Sequence, residues 1–387
     1  METLRLKGIT WNHTRGFVPK VATAQRFHEL NPHVEVQWDK RSLQDFADYS
    51  ISALAERYDF LVIDHPSIGE AAEHGLFRPL EELLPAAFLA DQAAHSVGLS
   101  HASYQFTGRQ WALAVDAATP VASWRPDIMA RLGLSPPRTW EELMTLARRG
   151  LVAMPAIPVD TLMNLYMMWI DAGEEPFLTD EGVGSHAVGR VALETLRDLI
   201  LTCAPVCLTR NPIQTYEAMT QTDDIAYCPF AYGYSNYSRE GYARRLLAFG
   251  HPPSGRSGPL RSTLGGAGLA ISTNCPHPDV AAQYAAFMAS GECQRGLYVS
   301  SGGQPGHRSA WLDDKANENT AGFFRDTLAV LDRAYLRPRY SGYITFQDRA
   351  AECLDQYIRG NKRVDDCLCD LHDLHRHCKE GALRGGR

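Results

Sequence analysis

Five consecutive residues, from Trp11 to Arg15, place an indole, an amide, an imidazole, a hydroxyl and a guanidinium directly after an apolar strand pattern. Such a set can stack on an apolar face of a small molecule while it donates and accepts hydrogen bonds. A polar surface loop is the alternative interpretation. We expect Trp11 to stack on a small polar ligand, and Asn12, His13 and Arg15 to form hydrogen bonds with it.

The charge of Arg15 suggests a more specific chemistry. The pattern after it predicts an amphipathic helix that begins near Val18, with Pro19 in its first turn. The guanidinium and the unpaired amides of that helix end would both favour an anionic group of the ligand. The predicted buried face of the helix consists of Val21, Ala24, Phe27 and Leu30.

A second polar cluster, Asp64, His65, Pro66 and Ser67, follows another apolar run. Its first two side chains are candidate ligand contacts. The alternative is local, because Asp64, Pro66 and Ser67 are also residues that cap a helix.

The segment from Tyr227 to Tyr242 contains five tyrosines and Asn236. A buried tyrosine hydroxyl needs a hydrogen-bond partner, so this density is unusual for a strand that only packs. We predict that Tyr232, Tyr234 and Asn236 contact the ligand, although packing of some of these rings is the alternative. Asp160 follows an apolar stretch that we expect to be a strand ending at Pro158. It is a further candidate, and its alternative role is that of a helix N-cap.

The elements around the first two clusters follow a βαβαβ order. A strand before Trp11, the helix after it, an alternating strand at 33–39, a helix from about 42 to 58 and an apolar strand at 59–63 succeed one another. Right-handed crossovers make such strands parallel. Because ligands bind beyond the carboxyl ends of parallel strands, both clusters should open onto the same edge of the sheet.

Composition limits the class of protein. The 387 residues are 45% apolar and 21% charged, which is typical of a globular chain long enough for two compact units. The net charge of −7 disfavours nucleic acid as a partner. The longest apolar run, at 162–170, is too short to cross a membrane.

The nine cysteines are an odd number and show no paired spacing, so we expect reduced thiols. The first residues show no export signal pattern. These two features favour a cytoplasmic protein if the chain is the native full length, and otherwise a signal peptide has been removed.

No linear catalytic motif is complete, and we predict neither a catalytic residue nor a cofactor. The segment 250–257 has the glycine spacing of a P-loop but Arg256 where lysine is required, and 233–237 lacks the second glycine of a nucleophile elbow. The Cys/His-rich segment 367–378 is interpreted as a solvated helix face rather than a zinc site. No metal site is expected there or at Cys203 and Cys207.

Two longer stretches carry a family resemblance. They are "YQFTGRQWALAVDAATPVASWRPDIMARLGLSPPRTWEEL", which begins at Tyr104, and "TLGGAGLAISTNCPHPDVAAQYAAFMASGECQRGLYVSSGGQPGHRSAW" at 263–311. Both resemble the family 1 extracellular solute-binding proteins of ABC importers, the group that includes maltose-binding and other sugar-binding proteins.

The resemblance implies a two-lobed α/β fold of the periplasmic-binding-protein type, in which each lobe is a mostly parallel sheet flanked by helices. The implied first lobe is 1–115 with 262–320, and the second is 116–261 with 321–387. The chain would cross near 112–118 and 258–266 and close on its ligand like a hinge. Asp116, Thr119 and Gly266 lie at these crossings and complete the predicted site.

The expected function is therefore capture of a small polar organic ligand between two lobes, and the charge of Arg15 favours a ligand with an anionic group. The resemblance implies a periplasmic location and docking on importer membrane subunits, and we expect a monomer. A cytoplasmic enzyme or ligand-sensing accessory protein that uses the same cleft is the alternative.

Overall fold

The computed structural model describes residues 3–42, 51–179 and 182–385. The strands in these ranges are β1 (Leu4–Trp11), β2 (Val34–Arg41), β3 (Phe60–Ile63), β4 (Gln105–Phe106), β5 (Arg109–Gln110), β6 (Leu113–Ala118), β7 (Pro120–Trp124), β8 (Tyr227–Tyr232), β9 (Ala248–Gly250) and β10 (Gly265–Ile271).

The α-helices alternate with these strands and fill the stretch between β7 and β8 and the C-terminal third. They are α1 (Thr14–Leu30), α2 (Ile51–Ala55), α3 (Ile68–Glu73), α4 (Ala86–Ala94), α5 (Pro126–Leu132), α6 (Trp140–Arg148), α7 (Pro158–Asp171), α8 (His186–Thr202), α9 (Pro212–Gln221), α10 (Pro278–Ala289), α11 (Gly291–Cys293), α12 (Arg308–Trp311), α13 (Asp314–Glu318), α14 (Phe323–Asp332), α15 (Tyr343–Ile358) and α16 (Val364–Gly385).

The larger sheet has five strands in the order β2-β1-β3-β10-β6. Its first three strands are parallel, as the βαβαβ pattern predicts, and β10 runs antiparallel to both β3 and β6. In β2 the alternating residues Val34, Val36 and Trp38 are buried, which confirms the half-covered strand. The two polar clusters at the ends of β1 and β3 therefore share one edge of the sheet.

The smaller sheet has the order β8-β7-β9, and both of its pairings are antiparallel. The expectation of a mostly parallel sheet in each lobe is wrong here. A single crossover helix returns the chain to the starting end of a sheet and so makes neighbouring strands parallel. Among the described residues, five helices, α5 to α9, lie between β7 and β8, so the chain can return in either direction.

The chain passes from the larger to the smaller sheet at Thr119 and returns between β9 and β10. The two passages lie side by side. The Thr119 hydroxyl donates to the Thr263 carbonyl at 3.0 Å, and the Ser262 hydroxyl donates to the Pro120 carbonyl at 2.6 Å. These bonds fix the passages to each other at the point where the sheets meet.

Each sheet has its own apolar packing. Two buried clusters cover the two faces of the larger sheet, one containing Phe27 and Tyr284 and the other Phe77 and Tyr104. A larger cluster joins the smaller sheet to α7, α8, α15 and α16, with Trp169 fully buried in it. No helix among the described residues is both long and apolar enough to cross a membrane.

Helix α1 begins four residues earlier than predicted. The His13 side chain caps it, because its Nδ1 accepts the backbone N–H of Arg15 at 3.0 Å. Of the four residues predicted to be buried, Ala24 and Phe27 are, but Val21 is 42% and Leu30 54% exposed. The buried face is rotated, and it includes the polar residues Arg15, Lys20 and Thr23.

Two other predicted elements differ from the structure. Of the helix expected at about 42–58, the structure describes α2, while residues 43–50 lie outside the described part of the chain. The apolar stretch before Pro158 was expected to be a strand. It forms a single parallel bridge, between Val152 and Tyr227.

Candidate functional site

Arg15 lies in the first turn of α1 and is 4% exposed. Its Nε donates to Asp116 Oδ2 at 2.8 Å, its Nη2 donates to Asp116 Oδ1, and its Nη1 donates to the Gly233 carbonyl at 2.8 Å. Burial would lower the pKa of Arg15, but the charge of Asp116 raises it above its ordinary value. The guanidinium therefore stays charged and joins α1, β6 and the segment after β8.

This geometry corrects the prediction that Arg15 and Asp116 each await a ligand. The anion beside the guanidinium is the carboxylate of Asp116, 101 residues away in sequence. The pair is bidentate and buried, which is the geometry of a structural ion pair. Local patterns do not reveal a partner at such a separation.

The aromatic residues around Arg15 extend the contact. The Tyr234 ring lies 4.6 Å from the Arg15 guanidinium carbon and packs edge-on against the His13 ring at 4.7 Å. His13 Nε2 is 3.3 Å from the Tyr242 hydroxyl. Burial, and then the charge of Arg15, lowers the pKa of His13 to about 3, so its imidazole is neutral at physiological pH. Burial raises the pKa of Tyr234 to about 12.

Trp11 and Asn12 do not take the predicted positions. Trp11 is buried, its indole packs on Gly16, and Lys20 Nζ lies 5.2 Å from its ring centroid. A Cβ on Gly16 would come within 2.4 Å of that ring, so the glycine permits the close packing. Asn12 is exposed and donates its backbone N–H to Arg41. The predicted ring stacking of Trp11 on a ligand is thus replaced by packing within the chain.

Asp64 forms an ion pair with Arg337, which lies between α14 and α15. Arg337 Nη2 donates to both carboxylate oxygens, at 3.0 and 2.8 Å, and Nη1 donates to Gln347 Oε1 at 2.8 Å. Burial would raise the pKa of Asp64, but the charge of Arg337 holds it well below its usual range. Asp64 Oδ1 also accepts the backbone N–H of His65, which confirms the alternative capping role.

The ring of His65 is fully buried beside this pair. Its Nδ1 is 3.4 Å from Asp64 Oδ1, and its Nε2 has no hydrogen-bond partner among the described residues. Burial is the main cause that lowers the pKa of His65 to about 4. A neutral imidazole with an unsatisfied nitrogen remains available to a ligand.

Tyr232 and Asp160 are two further polar side chains in the neighbourhood of the Arg337–Asp64 ion pair. The Tyr232 hydroxyl is buried without a partner in the described chain, and the charges of Arg337, Asp64 and Asp160 all act on it. Asp160 is buried, its Oδ2 has no partner among the described residues, and burial raises its pKa to about 7. The alternative that Asp160 caps its helix is wrong, because Ile157 is the N-cap of α7.

The segment after β8 adds two more polar side chains. Asn236 Nδ2 donates to the Gly302 carbonyl at 3.2 Å, whereas its Oδ1 has no partner in the described residues. The Ser235 hydroxyl is unpaired in the same sense, although its backbone N–H donates to Gln304 Oε1 at 3.0 Å. This segment is therefore anchored by some of its polar atoms and leaves others free.

Thr119 and Gly266 serve the passages between the sheets. The Thr119 hydroxyl is occupied by the Thr263 carbonyl. Gly266 has φ +106°, and a Cβ there would lie 2.4 Å from the Asp116 carbonyl oxygen. Only glycine permits this approach of β10 to β6. The proton of the Thr119 hydroxyl is thus used within the chain, and Gly266 has no side chain to offer.

The unpaired polar set is defined here as a group of side chains, located after β3, at and after the end of β8, in α7 and before α15, that each keep a buried polar atom without a partner among the described residues. Its members are His65, Asp160, Tyr232, Ser235, Asn236 and, through Nε, Arg337. More than nine in ten buried polar groups in native structures are hydrogen-bonded. Segments that follow strands of both sheets contribute to this group of exceptions.

A cavity of about 300 Å³ opens next to this set. Phe106, Phe177, Arg337 and Tyr340 are among the residues that line it. Its size is at the lower end for small-molecule pockets. Arg337 is the member of the unpaired polar set that lines it.

Arg337 and Ser235 are absent from the residues that the sequence predicts. Arg337 stands in "LRPRY", a segment without spacing typical of a site, and 273 positions separate it from Asp64. Ser235 lies inside the tyrosine-rich segment, so its neighbours Tyr234 and Asn236 could have indicated it as a site residue. No neighbouring residue indicates Arg337 in this way.

The C-terminal Cys/His residues belong to separate contacts. His372 Nδ1 accepts the backbone N–H of Val183 at 3.1 Å, and His375 Nδ1 lies 2.9 Å from the Tyr340 hydroxyl. Cys367, Leu368, Leu371 and His375 are buried, so the interpretation of the whole segment as a solvated helix face is wrong. All nine cysteines are unpaired in the structure.

Two sheets joined by two adjacent passages of the chain define a two-lobed α/β fold. The family of bacterial extracellular solute-binding proteins matches residues 22–324, and the chain belongs to that family. The resemblance and the two-lobed fold are both confirmed, and the protein is a solute-binding protein. No curated protein sequence matches the chain.

Solved structures agree on the fold. Maltose-bound MalE3 of T. maritima superposes with a TM-score of 0.84 at 18% identity, covering 97% of this chain and 99% of that one. A solute-binding protein of Agrobacterium radiobacter in complex with ribitol gives 0.80 at 17% identity, covering 98% and 99%. One of Thermotoga lettingae bound with α-D-tagatose gives 0.81 at 16%, covering 98% and 100%.

Proposed function

We propose that the protein captures a neutral sugar or polyol between its two sheets. The observation that carries this proposal is the unpaired polar set, in which buried oxygens of Asp160, Tyr232 and Asn236 have no partner among the described residues. Leaving such groups unsatisfied costs about 1 to 3 kcal/mol each, which a bound molecule would recover.

The mixture of groups favours hydroxyl-rich ligands. Asp160 and Asn236 offer acceptors, Arg337 Nε offers a donor, and the Tyr232 hydroxyl can do either. A hydroxyl group donates one hydrogen bond and accepts others, so a polyhydroxy compound satisfies all of these groups at once. The maltose, ribitol and tagatose bound by the structural neighbours support the same class.

A neutral ligand fits the charges better than an anion does. Both buried arginines near the site, Arg15 and Arg337, already pair with Asp116 and Asp64. Asp160 adds a further carboxyl group to the site. A carboxylate of the ligand would find Arg15 and Arg337 already paired, and it would lie near the carboxyl group of Asp160.

Binding without chemistry is the role we propose, with delivery to the membrane subunits of an ABC importer outside the cytoplasm, as a monomer. The family description, that of an extracellular solute-binding protein, supports this role. In the described residues no hydroxyl or thiol nucleophile is hydrogen-bonded to His65 or Asp160.

We propose two lobes that follow the predicted division into 1–115 with 262–320 and 116–261 with 321–387, except that the first lobe ends before 308. The separate apolar clusters of the two sheets support this division. The Trp311 ring packs on Phe324 at 5.1 Å, which favours placing the end of the first lobe before 308 rather than at 320.

Native mass spectrometry of the protein purified without added ligand tests the ligand class. We expect an adduct that is released on denaturation and has the mass of a neutral sugar or polyol. Release of a carboxylic acid, a phosphate ester or an amine instead would contradict the proposal. A mass change in the adduct during incubation would contradict binding without chemistry.

A further inference from the structure

Three side chains with metal-binding atoms meet away from the solute site. Asp91 and His95 lie one turn apart at the end of α4, and His307 faces them from the residue before α12. Asp91 Oδ1 is 2.9 Å from His95 Nδ1, and Asp91 Oδ2 is 3.3 Å from His307 Nε2. One donor atom from each residue lies within 4.8 Å of the other two.

The ligand types suit a particular class of ion. Two imidazoles and a carboxylate are ligands of Zn²⁺ and similar transition-metal ions, whereas Ca²⁺ and Mg²⁺ prefer oxygen alone. Zinc bonds of about 2.0 to 2.1 Å in a tetrahedron place neighbouring ligand atoms about 3.3 Å apart. The separation of His307 Nε2 and Asp91 Oδ2, 3.3 Å, already has this value.

His307 is held in place for such a role. It is 4% exposed, and its Nδ1 lies 2.7 Å from the Ser309 hydroxyl, a contact that fixes the ring with Nε2 towards Asp91. The backbone N–H of Arg308 donates to the His95 carbonyl at 2.6 Å and so joins the two segments.

His95 supplies the adaptable ligand. Its ring stacks on that of His307 with 16° between the planes and 4.8 Å between centroids. Because a metal ion lies in the plane of a coordinating imidazole, one ring must turn. The His95 side chain is 48% exposed and can rotate, whereas the ring of His307 is enclosed. The exposed side of the site leaves the remaining coordination position to water.

We propose that Asp91, His95 and His307 bind one divalent transition-metal ion of the zinc class. The ion would fix the end of α4 to the segment that contains His307. That segment also contains Gln304, whose side chain holds the backbone N–H of Ser235 and the carbonyls of Ala117 and Gly233. Metal binding would therefore stabilise the folded chain near the junction of the sheets.

Calorimetric titration of the EDTA-treated full chain with ZnCl₂ tests the site. We expect one site, weakened at least tenfold by His95→Gln and by Asp91→Asn. His74→Gln is the matched control, because His74 is an exposed histidine at the end of α3 with Glu70 four residues before it, as His95 follows Asp91. Its zinc affinity should equal that of the wild type.

Cobalt substitution separates this site from thiol ligands. The expected absorption spectrum of the Co²⁺ form shows ligand-field bands without thiolate charge-transfer bands, and Cys369→Ser, at the exposed cysteine, leaves binding unchanged. Equal zinc affinity of wild type and His95→Gln would overturn the proposal. Thiolate bands together with loss of binding in Cys369→Ser would overturn it too. Thermal unfolding of each metal-free variant checks that it is folded.

Discussion

Asp160 is a buried carboxyl group whose free energy depends on pH. Its pKa in the folded chain is raised by burial from the ordinary 3.8 to about 7. Between these values the folded chain holds the proton and the unfolded chain does not, so stability falls as the pH rises. The full shift corresponds to about 4 kcal/mol at most.

The variant Asp160→Asn tests this account. Urea unfolding at pH 4, 6 and 8 should show the ligand-free wild type losing stability relative to the variant as pH rises, with the difference smallest at pH 4. Asp279→Asn is the control, because Asp279 also follows a proline in the first turn of a helix but is exposed. It should change stability by less than about 1 kcal/mol. A wild type that gains stability over this range relative to Asp160→Asn would show an ionised, partnered carboxylate.

The role of a single residue could be predicted from the sequence where a polar residue stands in an otherwise apolar segment. Asp160 and the tyrosines at 227–242 stand in apolar surroundings, and that contrast is visible in sequence. Trp11 and Arg15 show the opposite case, because an indole and a guanidinium at a strand end suit a ligand as well as they suit a neighbouring strand. For Arg15, only its contact with Asp116, which is distant in sequence, shows that its role is structural.

Among the secondary-structure elements, the Arg15–Asp116 pair ties α1 to β6 and to the segment after β8. Arg15→Ala would leave Asp116 buried and unpaired, so we expect it to lower the free energy of unfolding by about 3 to 5 kcal/mol. Arg5→Ala is the control, since Arg5 pairs with Glu35 at an exposed site. It should cost under about 1 kcal/mol.

A double-mutant cycle in urea unfolding completes this test. If the pair is structural, Asp116→Ala in the Arg15→Ala background should cost much less than it does in the wild type. Additive effects of the two substitutions, or an Arg15→Ala variant as stable as the wild type, would show that Arg15 does not hold the elements together.

The sequence predicted elements well where the signal was local. The βαβαβ order and the alternating burial of β2 depend on neighbouring residues, and the structure confirms both. The start of α1 was missed because the cap is a histidine, a residue that the usual capping preferences do not favour. The antiparallel smaller sheet depends on long-range pairing that no local pattern encodes.

At the scale of the whole molecule, the unpaired polar set lies between two sheets that the chain joins at adjacent passages. A ligand that satisfies atoms from both sides favours the closed arrangement over an open one. Small-angle scattering should therefore give a smaller radius of gyration when the compound released from the purified protein is added back. An unchanged radius at saturation would contradict hinge closure.

The central claim is that the unpaired polar set binds the solute, and Tyr232→Phe tests this claim most directly. The substitution removes a buried hydroxyl that has no partner in the described chain, so the ligand-free protein should keep its stability or gain up to about 1 kcal/mol. Tyr216→Phe is the control, because the Tyr216 hydroxyl already donates to the Ala231 and Tyr232 carbonyls at 3.1 Å. It should lower stability by about 1 kcal/mol.

Calorimetry of wild type, Tyr232→Phe and Tyr216→Phe with a panel of neutral sugars and polyols, and their carboxylate analogues, supplies the readout. We predict that a neutral compound binds the wild type and that Tyr232→Phe weakens its binding roughly tenfold or more, a loss of about 1.4 kcal/mol, while Tyr216→Phe changes it much less. Equal affinity of wild type and Tyr232→Phe for the bound compound, or binding of the carboxylates alone, would contradict the account.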